Sequence, residues 1–147
     1  MANETIVVRG TPKTLEANGA AIANNAIGQA DDATYDTTSD GASFPHVEFA
    51  LTLTYAVAPV ENSVIEIIAR AMDIDGTNDA PVPTATYRTR RVGFLTVKAV
   101  TTSQTLICLC KDVPKLAEYH LFNNATGQSM PAGWVGKVTP LSYKPAP

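Results

Sequence analysis

A chain of 147 residues, 45% hydrophobic and 17% charged, carries enough apolar mass for one domain. A domain of that length buries roughly 68–70% of its unfolded surface and needs no metal or disulfide staple to fold. A net charge of −3 and a pI near 5.2 exclude a nucleic-acid binder that relies on bulk positive charge, because counterion displacement from phosphates takes basic patches.

The opening MANETIVVRG has neither the basic nor the apolar region of a signal peptide. No apolar run approaches the ~18 residues of a spanning helix. The expectation is a protein made and kept in a cytoplasm, with no membrane partner. Residues 1–45 read as an extended N-terminal arm with weak edge strands. Ile6, Val7 and Val8 suit a short strand that Gly10, Thr11 and Pro12 break. Residues 15–40 are dominated by Ala, Asn, Gly, Thr and Asp, with Ile22, Ile27 and Tyr35 almost the only large apolar groups. A helix over 15–26 is weakened by Asn18, Gly19, Asn24 and Asn25. Small polar residues suit a segment that runs along a surface and orders against a partner.

Residues 46–147 read as the core of an all-β protein. Val47, Phe49, Leu51, Leu53 and Tyr55 alternate with Glu48, Ala50, Thr52 and Thr54, the strongest strand pattern in the chain. Ala58 to Asn62 turn the chain. From Val64 a second strand places Ile65, Ile67, Ala69 and Ala71 on one face and Glu66 and Arg70 on the other. Val64 and Ile68 make that other face partly apolar, as in a strand covered on both sides or set at an interface. Residues 73–91 are too rich in Pro, Gly and Asp for regular structure, and loops this long in a compact domain are usually functional.

Leu95 and Val97 mark a strand over 92–100, a polar link at 101–104 suggests a hairpin, and Leu106 to Lys111 form the next strand. Asp112 to Lys115 turn the chain into a final hairpin, with strands at Tyr119–Phe122 and Trp134–Val138 around an exposed loop at 123–133. The prolines of the tail LSYKPAP cannot donate to a sheet. Six clear strands follow Val47, and one to three weaker ones precede it. Without intervening helices they predict an antiparallel β-sandwich, jelly-roll-like, as a single domain. Its core is expected to contain Phe49, Leu51, Leu53, Ile65, Ile67, Leu95, Val97, Leu121, Trp134 and Val138.

No set of residues converges on catalysis. Asp73, Asp75, Asn78 and Asp79 with Gly76 could ligate calcium, but Gly76 stands fourth rather than sixth and no bidentate Glu follows, so a turn is the simpler reading. Cys108, Cys110 and His120 suggest zinc, but the fourth ligand is missing, and buried cysteines usually act as small hydrophobes. Two apart on one strand, the cysteines are poorly spaced for a disulfide, in keeping with a reducing compartment. His46 and His120 are the only histidines, and no nucleophile elbow or phosphate-binding glycine pattern accompanies them. Neither metal nor cofactor is expected. Tyr87 with Arg88, Arg90 and Arg91 is the one basic cluster, suited to carboxylate or phosphate clamping. It stands beside the acidic loop and reads as a partner contact. The predicted contact residues are Asp73, Asp75, Tyr87, Arg88, Arg90, Arg91, Asn123, Asn124 and Gln128.

The run FPHVEFALTLTYAVAPVENSVIEIIARAMDIDGTNDAP, the strand RRVGFLTVKAV and the segment EYHLFNNATGQSMPAGWVGKVTP together resemble the small structural proteins of tailed bacteriophages, in particular capsid decoration or cement proteins. The resemblance covers roughly residues 44–140 and rests on overall pattern, because that group has no catalytic signature. It implies a jelly-roll-like domain, assembled in the host cytoplasm, that self-associates as a dimer or trimer. On the virion it would bind the major capsid protein on the capsid surface and clamp the joints between subunits after the shell expands, without enzyme activity. The Cys108/Cys110 pair and the Arg88 to Arg91 cluster depart from it. Two other readings stay open: a carbohydrate- or receptor-binding sandwich with Trp134, Tyr119 and Tyr143 as stacking platforms, and a tail-tube or connector subunit.

Overall fold

The computed structural model describes residues 5–30, 34–38 and 44–145, and the features below concern those residues. Ten strands run in chain order: β1 (Thr5–Arg9), β2 (Lys13–Gly19), β3 (Ile27–Gln29), β4 (Tyr35–Asp36), β5 (His46–Leu53), β6 (Val64–Ala71), β7 (Arg91–Thr96), β8 (Gln104–Cys110), β9 (Leu116–Asn124) and β10 (Trp134–Pro145). They form two five-stranded antiparallel sheets. The first has the order β1-β10-β5-β8, with β2 also on β10; the second has the order β3-β9-β6-β7, with β4 also on β9. The protein is an all-β sandwich, as the alternating pattern requires.

Alternation decides which side of each strand goes inside. In β5, Val47, Phe49, Leu51 and Leu53 are buried while His46, Glu48, Ala50 and Thr52 are half-buried on the outer face. From the opposing sheet, Ile65, Ile67, Leu95, Tyr119 and Leu121 complete the same core. Phe49 and Tyr119 meet across the interior with ring centroids 5.9 Å apart. Every one of the ten residues predicted for the core lies in this cluster.

The two predicted hairpins do not form. β9 and β10 belong to different sheets, as do β7 and β8. Residues 125–133 therefore carry the chain from one sheet to the other, and so do residues 97–103. A loop of small and turn-forming residues bridges sheets ~10 Å apart as readily as it reverses a strand, and a period of two fixes a strand's faces but not its neighbours. Of the connections among the last six strands, only β6 to β7 joins adjacent partners within a sheet.

The tail is also corrected. β10 continues to Pro145 and pairs with β1 over Leu141–Pro145. It tolerates Pro140 because Gly10 N–H donates to the Pro140 carbonyl at 2.9 Å, which shows the side to which this residue turns its polar groups. That side falls between β2, which pairs with Trp134 to Val138, and β1, which begins opposite Leu141, so the missing N–H meets no ladder partner.

The N-terminal segment contributes four edge strands, two to each sheet. Ile22, Ala30 and Tyr35 lie in the core with the later strands. Residues 1–4, 31–33 and 39–43 of the predicted arm lie outside the described residues. Trp134, 1% exposed, begins β10 and packs on the bare backbone of Gly19. Its Nε1 donates to the Ala20 carbonyl at 2.8 Å. A Cβ at Gly19 would stand 1.9 Å from the Trp134 ring.

Gly19→Ala is therefore expected to force the indole out of its rotamer and to destabilise the protein by about 1–3 kcal/mol. Urea unfolding followed by Trp134 fluorescence measures this. An unchanged midpoint would show that the ring does not depend on the glycine.

Candidate functional site

The outer face of the second sheet is the most heavily elaborated surface of the molecule. Strand β6 has burial on both sides, as its sequence predicts: Ile65, Ile67 and Ala69 face the core, while Glu66 and Ile68 face outward yet are also covered. Glu66 lies opposite Phe94 of β7 on one side and opposite Phe122 of β9 on the other. The covering layer comes from the β6–β7 connection, residues 72–90. It folds back so that Ala80 N–H donates to the Ala71 carbonyl at 2.9 Å and Arg70 Nε donates to the Ala80 carbonyl at 2.7 Å. Within it Pro83 is buried.

Glu66 is the centre of this face and is only 2% exposed. Its Oε1 accepts from Asn124 Nδ2 at 2.9 Å and lies 3.8 Å from both Arg88 Nη1 and Arg91 Nη1. Its Oε2 has no hydrogen-bond partner among the described residues. The Arg88 guanidinium also stacks on Phe122, 4.0 Å from the ring centroid. Tyr87 and Phe94, 45% and 52% exposed, present their rings to solvent beside these arginines. The result is an aromatic and basic surface on an acidic protein.

A second network on the same face holds the connection in place. Arg70 Nη1 donates to Glu118 Oε2 at 3.1 Å, and its Nη2 lies 3.8 Å from Asp79 Oδ2. The other oxygen of Glu118 bonds His120 Nε2. Burial holds the His120 imidazole below its ordinary pKa, with Arg70 adding to the effect, while the Glu118 carboxylate opposes it.

The predicted contact residues separate into four groups. Arg88, Arg91 and Asn124 come together around Glu66, and Tyr87 precedes Arg88 as an exposed ring. Arg90, at a positive φ of 55°, instead donates through Nη2 to the Asp112 carbonyl and ties the loop to the β8–β9 turn. Asp73 and Asp75 lie in the acidic loop. There the Asp75 carboxylate accepts from Thr77 N–H, Asn78 N–H and Asn78 Nδ2, bonds that hold its carboxyl below the usual range. Asp73 N–H donates to Asp79 Oδ1 at 2.9 Å. This is a self-bonded turn, and among the described residues no group of three or more His, Cys, Asp or Glu side chains could hold a metal ion.

Asn123 is corrected outright. It is 0% exposed, and the connection it begins is exposed only in part: Ala125, Gly127, Ser129, Ala132 and Gly133 are exposed, while Thr126 and Met130 are buried. Asn123 Nδ2 donates to the carbonyls of Ile22, Ala23 and Gln128, and its Oδ1 accepts from Thr126 Oγ1 at 2.6 Å. Gln128 takes part through that backbone carbonyl. Asn24 and Asn25, which weaken a helix in the sequence, accept from Gly127 N–H and Ala125 N–H and pin the crossing from outside. Polar composition resembled exposure because these amides satisfy backbone groups instead of water.

Sequence reasoning passed over Glu66, Phe94 and the Arg70–Glu118–His120 network. The available signal was the doubly apolar strand β6 carrying two charges, since a charge in a covered strand calls for a partner. A separate hollow of about 500 Å³ lies between Asp36, Met72, Ile74, Pro114 and Lys115. Its Asp36 carboxylate accepts from Thr38 N–H and Thr38 Oγ1 through one oxygen. No family model, curated protein or solved structure matches the chain.

Two outcomes follow from this geometry. Asn123→Ala removes the donor to three carbonyls and is expected to cost at least about 1–3 kcal/mol in chemical unfolding, whereas a neutral substitution would show that the crossing is held otherwise. For His120, a folded-state pKa below 6.5 means that unfolding takes up a proton. Its contribution to stability is complete above about pH 6.5 and is lost as the pH falls through that value toward the folded pKa. The melting temperature should thus fall between about pH 7.5 and about pH 5.5, and His120→Gln should flatten that slope. Equal slopes in both proteins would assign the effect elsewhere.

Proposed function

We propose that the chain is a virion structural protein that binds the outside of a phage capsid and stabilises the joints between major capsid protein subunits. The observation that carries this reading is the outer surface of the second sheet, where Arg88 and Arg91 lie against the covered Glu66 and the rings of Tyr87 and Phe94 are exposed. Tyr, Phe and Arg are the residues enriched in the centres of protein interfaces. Their excess positive charge on a chain of net charge −3 suits an acidic face on the partner.

The strand order supports a jelly-roll reading of the sandwich. With β1/β2 and β3/β4 each taken as one interrupted edge strand, eight strands remain, and successive strands alternate between the sheets except at β6–β7. Self-association would use the opposite surface. On the outer face of the first sheet, Ile107 and Leu109 of β8 are exposed beside Ala50 and Glu48 of β5, and Tyr143 of β10 is exposed as well. Repetition of weak patches on a capsid lattice would turn modest contacts into firm attachment. Burial of Trp134 and Tyr119 removes two of the three rings that a sugar-binding reading would require.

Tyr87→Ala and Phe94→Ala alter exposed rings and should leave thermal melting of the isolated protein within about 1 °C of its original value. Each should weaken co-sedimentation with intact capsids at least about tenfold and reduce the heat resistance conferred on the shells. A protein that neither sediments with capsids nor protects them refutes the proposal, and rings or tubes in negative-stain images would favour a tail-tube or connector subunit.

A further inference from the structure

Cys108 and Cys110 face the interior from β8, an edge strand of the first sheet, with Sγ atoms 3.6 Å apart. Both are free thiols; Cys110 is buried and Cys108 half-buried. They pack beneath Gly93 of β7, where the absence of a side chain makes room for both sulfurs. A Cβ there would lie 2.6 Å from Cys108 Sγ and 2.9 Å from Cys110 Sγ. The sulfurs thus sit in the seam between the facing edge strands of the two sheets, one reachable and one enclosed.

We propose that Cys108 and Cys110 form a chelating dithiol for a soft, thiophilic monovalent cation of the copper(I) class. Thiolates select soft ions. With metal–sulfur bonds of about 2.3 Å, sulfurs at the observed separation subtend about 100° at the ion, a bent arrangement that both reach without strand movement. Structural zinc normally takes four ligands, and among the described residues no third His, Cys, Asp or Glu joins the pair. Copper(I) accepts lower coordination and leaves a position at the half-buried Cys108 side for an exogenous thiol.

Binding breaks two S–H bonds and forms two S–Cu bonds. Two protons pass to solvent, and copper stays monovalent, so no oxidant or reductant is needed.

The test is anaerobic titration of the reduced full-length protein with copper(I) supplied as its glutathione complex. Native mass spectrometry and the ultraviolet thiolate-to-copper absorption provide the readouts. The expected result is one copper per chain. Loss of groups that merely orient a ligand costs 10–100-fold in affinity, so removing a ligand in Cys108→Ser or Cys110→Ser should cost about a hundredfold or more. Copper should raise the melting temperature of the original protein but not that of Cys108→Ser, the more exposed position and the variant expected to keep its fold. No retained copper, or equal retention by Cys108→Ser, overturns the proposal.

Discussion

The seating of Trp134 on the backbone of Gly19 is the contact on which much of the first sheet depends. Trp134 starts β10, and β10 is the strand that pairs with β1, β2 and β5. A large ring fully enclosed at the start of that strand fixes which of its faces points inward, because a slip of one residue would turn every later side chain over. Val138 then reaches the core, and Pro140 reaches the gap between β2 and β1 where its missing N–H costs nothing. The single tryptophan and an apparently ordinary glycine thus set the register for the longest strand.

The second sheet is organised differently, around polar groups covered by its own connection. Taking Glu66 out of water is costly, and arginines at 3.8 Å with one amide return only part of that cost. Such a cluster contributes more to the placement of the connection than to stability. Arg70 acts similarly by holding the Ala80 carbonyl and Glu118 together. The connection between β6 and β7 becomes a third layer that exposes Tyr87, and Phe94 of β7 is exposed as well. Adhesion would then draw on rings and guanidiniums already ordered before a partner arrives, which reduces the entropy lost on binding.

Much of the fold was legible in the sequence because it depends on local periodicity. The alternation from Val47 to Tyr55 gave the strand, its inner face and its core residues, and the mixed apolar character of Val64 to Ala71 indicated a strand covered twice. Around the candidate site, Tyr87, Arg88, Arg90 and Arg91 were legible as one basic cluster and Asn124 as part of a separate loop, whereas the folded chain brings Asn124 to Arg88 and Arg91 through Glu66. Glu66 was not legible, because its importance comes from the layer folded over it. Asn123 was misread for a related reason: its composition is that of an exposed turn, and only the three carbonyls it meets make it an interior residue.

By itself the sequence determined the all-β class, the inward faces of the main strands and the lack of a helical alternative, since these follow from side-chain period and backbone preference within a few residues. Tertiary structure alone decided that β9 and β10 lie in opposite sheets, that Pro140 falls between two partners and that Glu66 is covered. Each of those facts concerns segments distant in sequence, such as Asn24 and Asn25 with residues 125–127. Strand pairing is chosen by the closest joint packing of such segments, and a local pattern carries no record of that choice.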